Sequence, residues 1–202
     1  MFFLLTLAGA EEYISADRPS VAVGSSVVGT QKTQVETGLQ IDLIDGTHTF
    51  SIPTVLRYGI NENIEVRLST PLSSLNFLSL QSISQSSRVE GKVNFYSSSN
   101  ISMGTLLGVL ISNETLNADA SLLVDISSGP NAAWFNLKGN LTSLELGESY
   151  PSFALGVGSL LYHGHGVFVE TAGDLQSGLS GTVETGYFWL SKNLQIDVYV
   201  QQ

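Results

Sequence analysis

Gln34-Val35-Glu36-Thr37-Gly38-Leu39-Gln40-Ile41-Asp42-Leu43 puts Val35, Thr37, Leu39, Ile41 and Leu43 on one parity and mainly polar residues on the other. A period of two gives a strand one apolar face and one polar face. The same period returns in Phe50, Ile52, Thr54, Leu56, Tyr58 and in Leu194, Ile196, Val198, Val200. Working outward from these runs, the pattern predicts eleven strands, at 33–43, 47–58, 64–70, 88–96, 101–111, 117–127, 132–142, 151–162, 166–173, 178–190 and 194–201. Most run to nine to eleven residues, the length of a tilted membrane-spanning strand, whereas soluble strands average about five or six.

The connections sort into two kinds. Gly59 to Asn63, Ser97 to Asn100, Ser128 to Asn131, His163 to His165 and Ser191 to Asn193 are tight, and the loops at the other end vary, the largest being 71–87. Short turns at one end and variable loops at the other are the layout of an outer-membrane barrel with periplasmic turns. Aromatics stand near every tight turn, and Tyr58, Tyr96, Trp134, Tyr162, Tyr187 and Trp189 are read as an interfacial girdle. An apolar ring with a polar edge favours the boundary between lipid and water. A soluble sandwich whose end-of-strand aromatics close a core is the alternative.

The chain of 202 residues is 43% apolar and 13% charged, against a usual charged share of roughly 25%. Its 18 acidic residues outnumber its 8 Lys and Arg, which argues against a nucleic-acid partner. Cysteine is absent, so disulfides, thiolate metal sites and a cysteine nucleophile are excluded. Residues 1–10 read as a signal peptide ending in Ala8-Gly9-Ala10, although no basic residue precedes Arg18. Residues 11–32 read as an extended lead-in, in which 21–28 could make a weak twelfth strand, and 33–202 as the barrel.

If the apolar parity faces lipid, the polar parity lines a lumen. Glu36, Arg57, Glu65, Arg67, Glu90, Lys92, Glu170 and Asp197 are its expected polar network, joined by Asp42, Arg88, Asp119, Asp125, Lys138 and Glu184. Arg57, Glu65 and Arg67 flank one tight turn on the same parity and are expected to form a cross-strand ion cluster. Such a cluster is either a charged constriction or a polar filling of a narrow barrel. Gly104, Gly108, Ala154, Gly156 and Gly158 are small residues on the interior parity, leaving room for a passage or for the 71–87 loop. His163-Gly164-His165 has no third ligand beside it and reads as an exposed turn. No Gly-x-Ser-x-Gly elbow occurs, so no enzyme, catalytic residue, metal or cofactor is expected.

Several strings add a resemblance. Ala16-Asp17-Arg18-Pro19-Ser20, Gln34-Val35-Glu36-Thr37-Gly38, Leu56-Arg57-Tyr58-Gly59, Ile64-Glu65-Val66-Arg67-Leu68, Phe168-Val169-Glu170 and Leu194-Gln195-Ile196-Asp197 occur in order. Together they resemble the MetA-pathway of phenol degradation family of transporter-like outer-membrane proteins. The resemblance implies an all-β, antiparallel transmembrane barrel of about twelve strands in meander topology. It also implies uptake of small solutes, aromatic or hydrophobic ones among them. The expected partners are membrane lipid and such a solute. The other two readings are a closed structural or interaction barrel and a soluble exported β-sandwich or lipocalin-like binder.

Overall fold

The structure, a computed structural model, describes residues 4–7, 17, 22–38, 40–44, 47–76, 86–111, 116–140, 151–174, 181–191 and 195–201. Side chains are described for 17, 22–38, 52–70, 86–111, 116–140, 151–174, 181–191 and 195–200. Among the described residues, thirteen strands form one antiparallel sheet. They are β1 (Leu4–Leu7), β2 (Thr33–Gly38), β3 (Gln40–Ile44), β4 (Thr47–Asn61), β5 (Ile64–Asn76), β6 (Ser87–Ser97) and β7 (Ile101–Ile111). β8 (Leu116–Ser128), β9 (Asn131–Asn140), β10 (Ser152–Leu160), β11 (His165–Asp174), β12 (Gly181–Leu190) and β13 (Gln195–Gln201) complete it. β2 and β3 both pair with β4 and replace the single expected strand 33–43. Counted as one interrupted strand, they begin an eleven-strand meander that runs in chain order to β13.

Two expectations are corrected. The strand expected at 64–70 runs on to Asn76, its added residues pairing with the start of β4, so Pro71–Asn76 belong to a hairpin rather than to a loop. The rest of the expected 71–87 loop, residues 77–85, lies outside the described residues. Of the weak strand expected at 21–28, residues 22–28 are described and none is in a strand. Their backbone groups meet side chains of the sheet instead of a neighbouring strand. The segment read as a signal peptide contains β1, which pairs with β2 in the register Leu4↔Gly38 to Leu7↔Val35. β1 also lies alongside β13, although no hydrogen-bonded ladder joins these two among the described residues.

Burial along the strands is inverted relative to a soluble sheet. On β4 and β5, Arg57 and Glu65 are 0% exposed and Arg67 is 6% exposed, while Leu56, Val66 and Leu68 between them are 42–43% exposed. The same alternation sets buried Glu90 and Lys92 beside exposed Val89, and buried Glu170 beside exposed Val169. Apolar side chains on the inner face concentrate on the far side of the sheet, where Phe168, Phe188 and Tyr199 pack together with Trp134 and Leu190.

The tight turns obey local backbone chemistry. Gly129 and Gly164 have positive φ, as does His163 (51°) in the turn between β10 and β11. At Gly59 the reason for glycine is contact: an added Cβ would run into the backbone carbonyls of Val28 and Gly29. This close approach carries the chain into β2, with Gln31 N–H donating to the Gly59 carbonyl at 2.8 Å and Gly59 N–H to the Lys32 carbonyl at 3.0 Å. Gly59→Ala is expected to cost about 1–3 kcal/mol by overpacking against rigid backbone. Gly91→Ala, where a Cβ meets nothing within 4 Å, should be near neutral. Urea unfolding midpoints of the two variants check the contrast.

Candidate functional site: a charged wall and the strap it holds

β4, β5 and β6 each present alternate residues to the inner face, and their register decides which charges meet. Arg57 stands opposite Arg67, Glu65 opposite Lys92, and Arg67 opposite Glu90. Opposite charges in such cross-strand positions attract and like charges repel. Arg57 grips Glu65 in bidentate fashion, with Nε donating to Oε1 at 3.0 Å and Nη2 to Oε2 at 2.8 Å. Its Nη1 donates to Glu36 Oε1 at 2.8 Å. Arg67 Nε lies 3.2 Å from Glu90 Oε2. The chain of pairs continues through Arg88 to Glu90 and Asp119, each at 2.5 Å, and Lys138 approaches Asp119 at 3.4 Å.

Asp17 occupies the centre of this wall. Its Oδ2 accepts from Arg67 Nη1 at 2.8 Å and from Lys92 Nζ at 2.5 Å, and lies 3.4 Å from Arg57 Nη2. Its own N–H donates to Glu36 Oε1 at 3.1 Å. Burial pushes the Asp17 carboxyl up, but Arg57, Lys92 and Arg67 together outweigh it and hold the group at about 2.

From Asp17 the chain continues to residues 22–28, which cross the inner face as a strap. Val23 N–H donates to Asn136 Oδ1 at 2.6 Å, and Asn136 Nδ2 returns a bond to the Val23 carbonyl at 2.8 Å. Ser25 N–H donates to Asp125 Oδ2 at 2.7 Å, and its Oγ lies 2.8 Å from Ser102 Oγ. Val28 N–H donates to Glu65 Oε2 at 2.7 Å. Lys92 Nζ reaches the carbonyls of Gly24 and Ser26, each at 2.9 Å, so with Asp17 all three ammonium protons have acceptors. The strap thus meets β9, β8, β7, β6, β5 and β4 before its chain turns into β2.

Six of the eight residues expected to form the polar network, Glu36, Arg57, Glu65, Arg67, Glu90 and Lys92, come together in this cluster. Glu170 and Asp197 are buried elsewhere: Glu170 accepts from Trp134 Nε1 at 2.8 Å, and Asp197 accepts from Gln195 Nε2 at 2.9 and 3.0 Å. The girdle reading is corrected for Trp134. Its ring faces inward, because Gly156 and Gly158 across the ladder leave room for it and Glu170 accepts its indole proton. Tyr58, Tyr96, Tyr162 and Tyr187 are exposed, and Trp189 is half-buried on the opposite parity from buried Phe188. The Tyr187 hydroxyl pairs with a ring nitrogen of His165.

The expected space along β7 and β10 is filled by specific neighbours. Ser25 of the strap approaches Gly104, the Arg88 guanidinium covers Gly108, and Trp134 covers Gly156 and Gly158. Among the described residues, a cavity of about 760 Å³ lies between the strap and the loop end. Val23 of the strap, Asn136, Arg88, Lys138, Leu123 and Ala154 are among the residues that line it.

Sequence reasoning missed Asp17 as a site residue, although it lies in the first of the strings that carry the family resemblance. No family model, curated protein or solved structure matches this chain. Four of the strings quoted above furnish Asp17, Glu36, Arg57 and the Glu65–Arg67 pair of one ion cluster.

Removing Arg57 would leave Glu36 and Glu65 buried with a shared partner gone. Arg57→Ala should therefore cost about 3–5 kcal/mol, read by chemical denaturation. The depressed Asp17 carboxyl sets a pH window as well. Its stabilising contribution is complete above the ordinary value of 3.8 and is lost as pH falls through about 2. Trp134 packs against Ala22 of the strap, so in a Trp189→Phe variant its emission reports docking. Protonation of Asp17 should shift that emission as pH falls from about 4 to about 2.

Proposed function

We propose that this chain is an outer-membrane β-barrel of about twelve strands that works as a passive channel or transporter for small solutes. The observation that carries the reading is the inverted wall, with ion pairs buried on the inner parity and aliphatic side chains exposed on the outer. In water, so continuous an apolar surface would drive association, whereas in a bilayer it is the required lipid face. A soluble sandwich or lipocalin-like binder would put these faces the other way round. Strand lengths of nine to fifteen residues in β4–β12 fit a bilayer crossed at a tilt. The position of β1, paired with β2 and alongside β13, favours a wall that closes and leaves no edge.

The cavity above the strap is the natural place for a solute. Its volume falls within the range of about 300–1,000 Å³ usual for small-molecule sites. Its lining pairs charged Arg88 and Lys138 with apolar Leu123 and Ala154. The reading assigns the chain transport rather than chemistry. The second reading, a closed structural barrel, is favoured by how much of the inner face the strap and the Phe168–Phe188–Tyr199 cluster occupy.

Expression in a Gram-negative host should place the protein in the outer-membrane fraction, with faster gel migration before boiling than after it. In planar bilayers the folded protein should give discrete conductance steps. Membrane localisation without any conductance would favour the closed structural barrel, and recovery in the soluble fraction would remove both membrane readings.

A further inference from the structure

The strap is held the way a ligand is held. Apart from the Gly29–Lys32 turn, the wall grips its backbone through side chains, among them Asn136, Asp125, Glu65, Lys92, Arg57 and Glu36. No strand ladder ties residues 22–28 to the sheet. Asp17, which precedes it in the chain, presents a single buried carboxylate, with three cations from three adjacent strands converging on one oxygen. We propose that the seat formed by Arg57, Arg67 and Lys92 is a carboxylate-binding site, that Asp17 is its resident occupant, and that a carboxylate-bearing solute takes the seat when the strap leaves.

Charge balance makes the occupant exchangeable. Without Asp17, the connected wall sets Arg57, Arg67, Lys92, Arg88 and Lys138 against Glu36, Glu65, Glu90 and Asp119, five charges against four. Departure of the strap therefore leaves one positive charge in excess, which another carboxylate would balance as Asp17 does. Arg57 and Arg67 also face each other directly in the ladder, and an anion between two guanidinium groups relieves their repulsion. The wall therefore favours a filled seat.

The seat also adjoins the cavity. Glu90, the partner of Arg67, lines the cavity, and so does Val23 of the strap. A solute entering from the loop end meets the strap first and reaches the seat by displacing it. Leu123 and Ala154 beside this approach favour a carboxylate with a short apolar tail over a bare inorganic anion. The inference rests on the barrel reading for the passage of solute; binding at the seat does not depend on it.

The test uses the full chain folded in detergent. In Asp17→Ala, sodium acetate should raise the unfolding temperature relative to sodium chloride at equal ionic strength, whereas acetamide should not. The wild type, whose seat is filled, should show no acetate-specific rise. Equal behaviour of acetate and chloride in the variant would overturn the carboxylate site. Should that variant fail to fold, a Ser25→Cys/Ser102→Cys pair decides, because the two Oγ atoms are 2.8 Å apart and the chain holds no other cysteine. In liposomes, hexanoate flux should fall at least about tenfold on oxidation and return on reduction. Equal flux in both states, zero included, would overturn displacement. Heat-modifiable migration of the same samples reports separately on the barrel reading.

Discussion

One buried carboxylate organises the inner face of this sheet. Asp17 draws Arg57, Arg67 and Lys92 toward a common point, and those three cations in turn hold Glu36, Glu65 and Glu90. Burying so many charges is unfavourable unless each is paired and its remaining protons have acceptors. Here the strap supplies that completion, because its carbonyls take the Lys92 and Arg57 protons that the glutamates leave over. The wall and the strap are therefore complementary halves of one polar core.

The two sides of the inner face solve the filling problem with different chemistry. Across β4–β6 the space is taken by ion pairs and by the strap. Across β9–β13 it is taken by Trp134, Phe168, Phe188 and Tyr199, seated over glycines at 156, 158, 166 and 186. A ring needs a neighbour without a Cβ, and the ladder provides one opposite each ring: Gly156 against Trp134, Gly166 against Phe188 and Gly186 against Phe168. Large and small residues thus alternate across the strands, each ring lying over a position without a Cβ.

The wall was legible in the sequence because a period of two is a local property. Val35 against Glu36 and Val66 against Arg67 disclose their faces without knowledge of any partner. Even the Arg57–Glu65–Arg67 cluster follows, since one tight turn fixes its register. The strap was not legible, because its Val23, Val27 and Val28 mimic the spacing of a weak strand. What separates strap from strand is the identity of the partners, and Asn136 lies 113 residues from Val23. Trp134 misled for a similar reason: proximity to a turn suggested an interfacial ring, while its parity and the glycines opposite direct it inward.

The strap's bonds also impose an order of assembly. Asp17 is 50 residues from Arg67 and 75 from Lys92, and Ser25 is 100 from Asp125. None of those side chains is in position until the strands that bear them have paired, whereas each hairpin of the meander closes locally. Contacts of such long range form slowly, because the entropy of bringing the ends together must be overcome first. Asp17 and the strap are thus among the last parts to find their place, and until they do the partly built wall holds Arg57, Arg67 and Lys92 without the carboxylate that joins them.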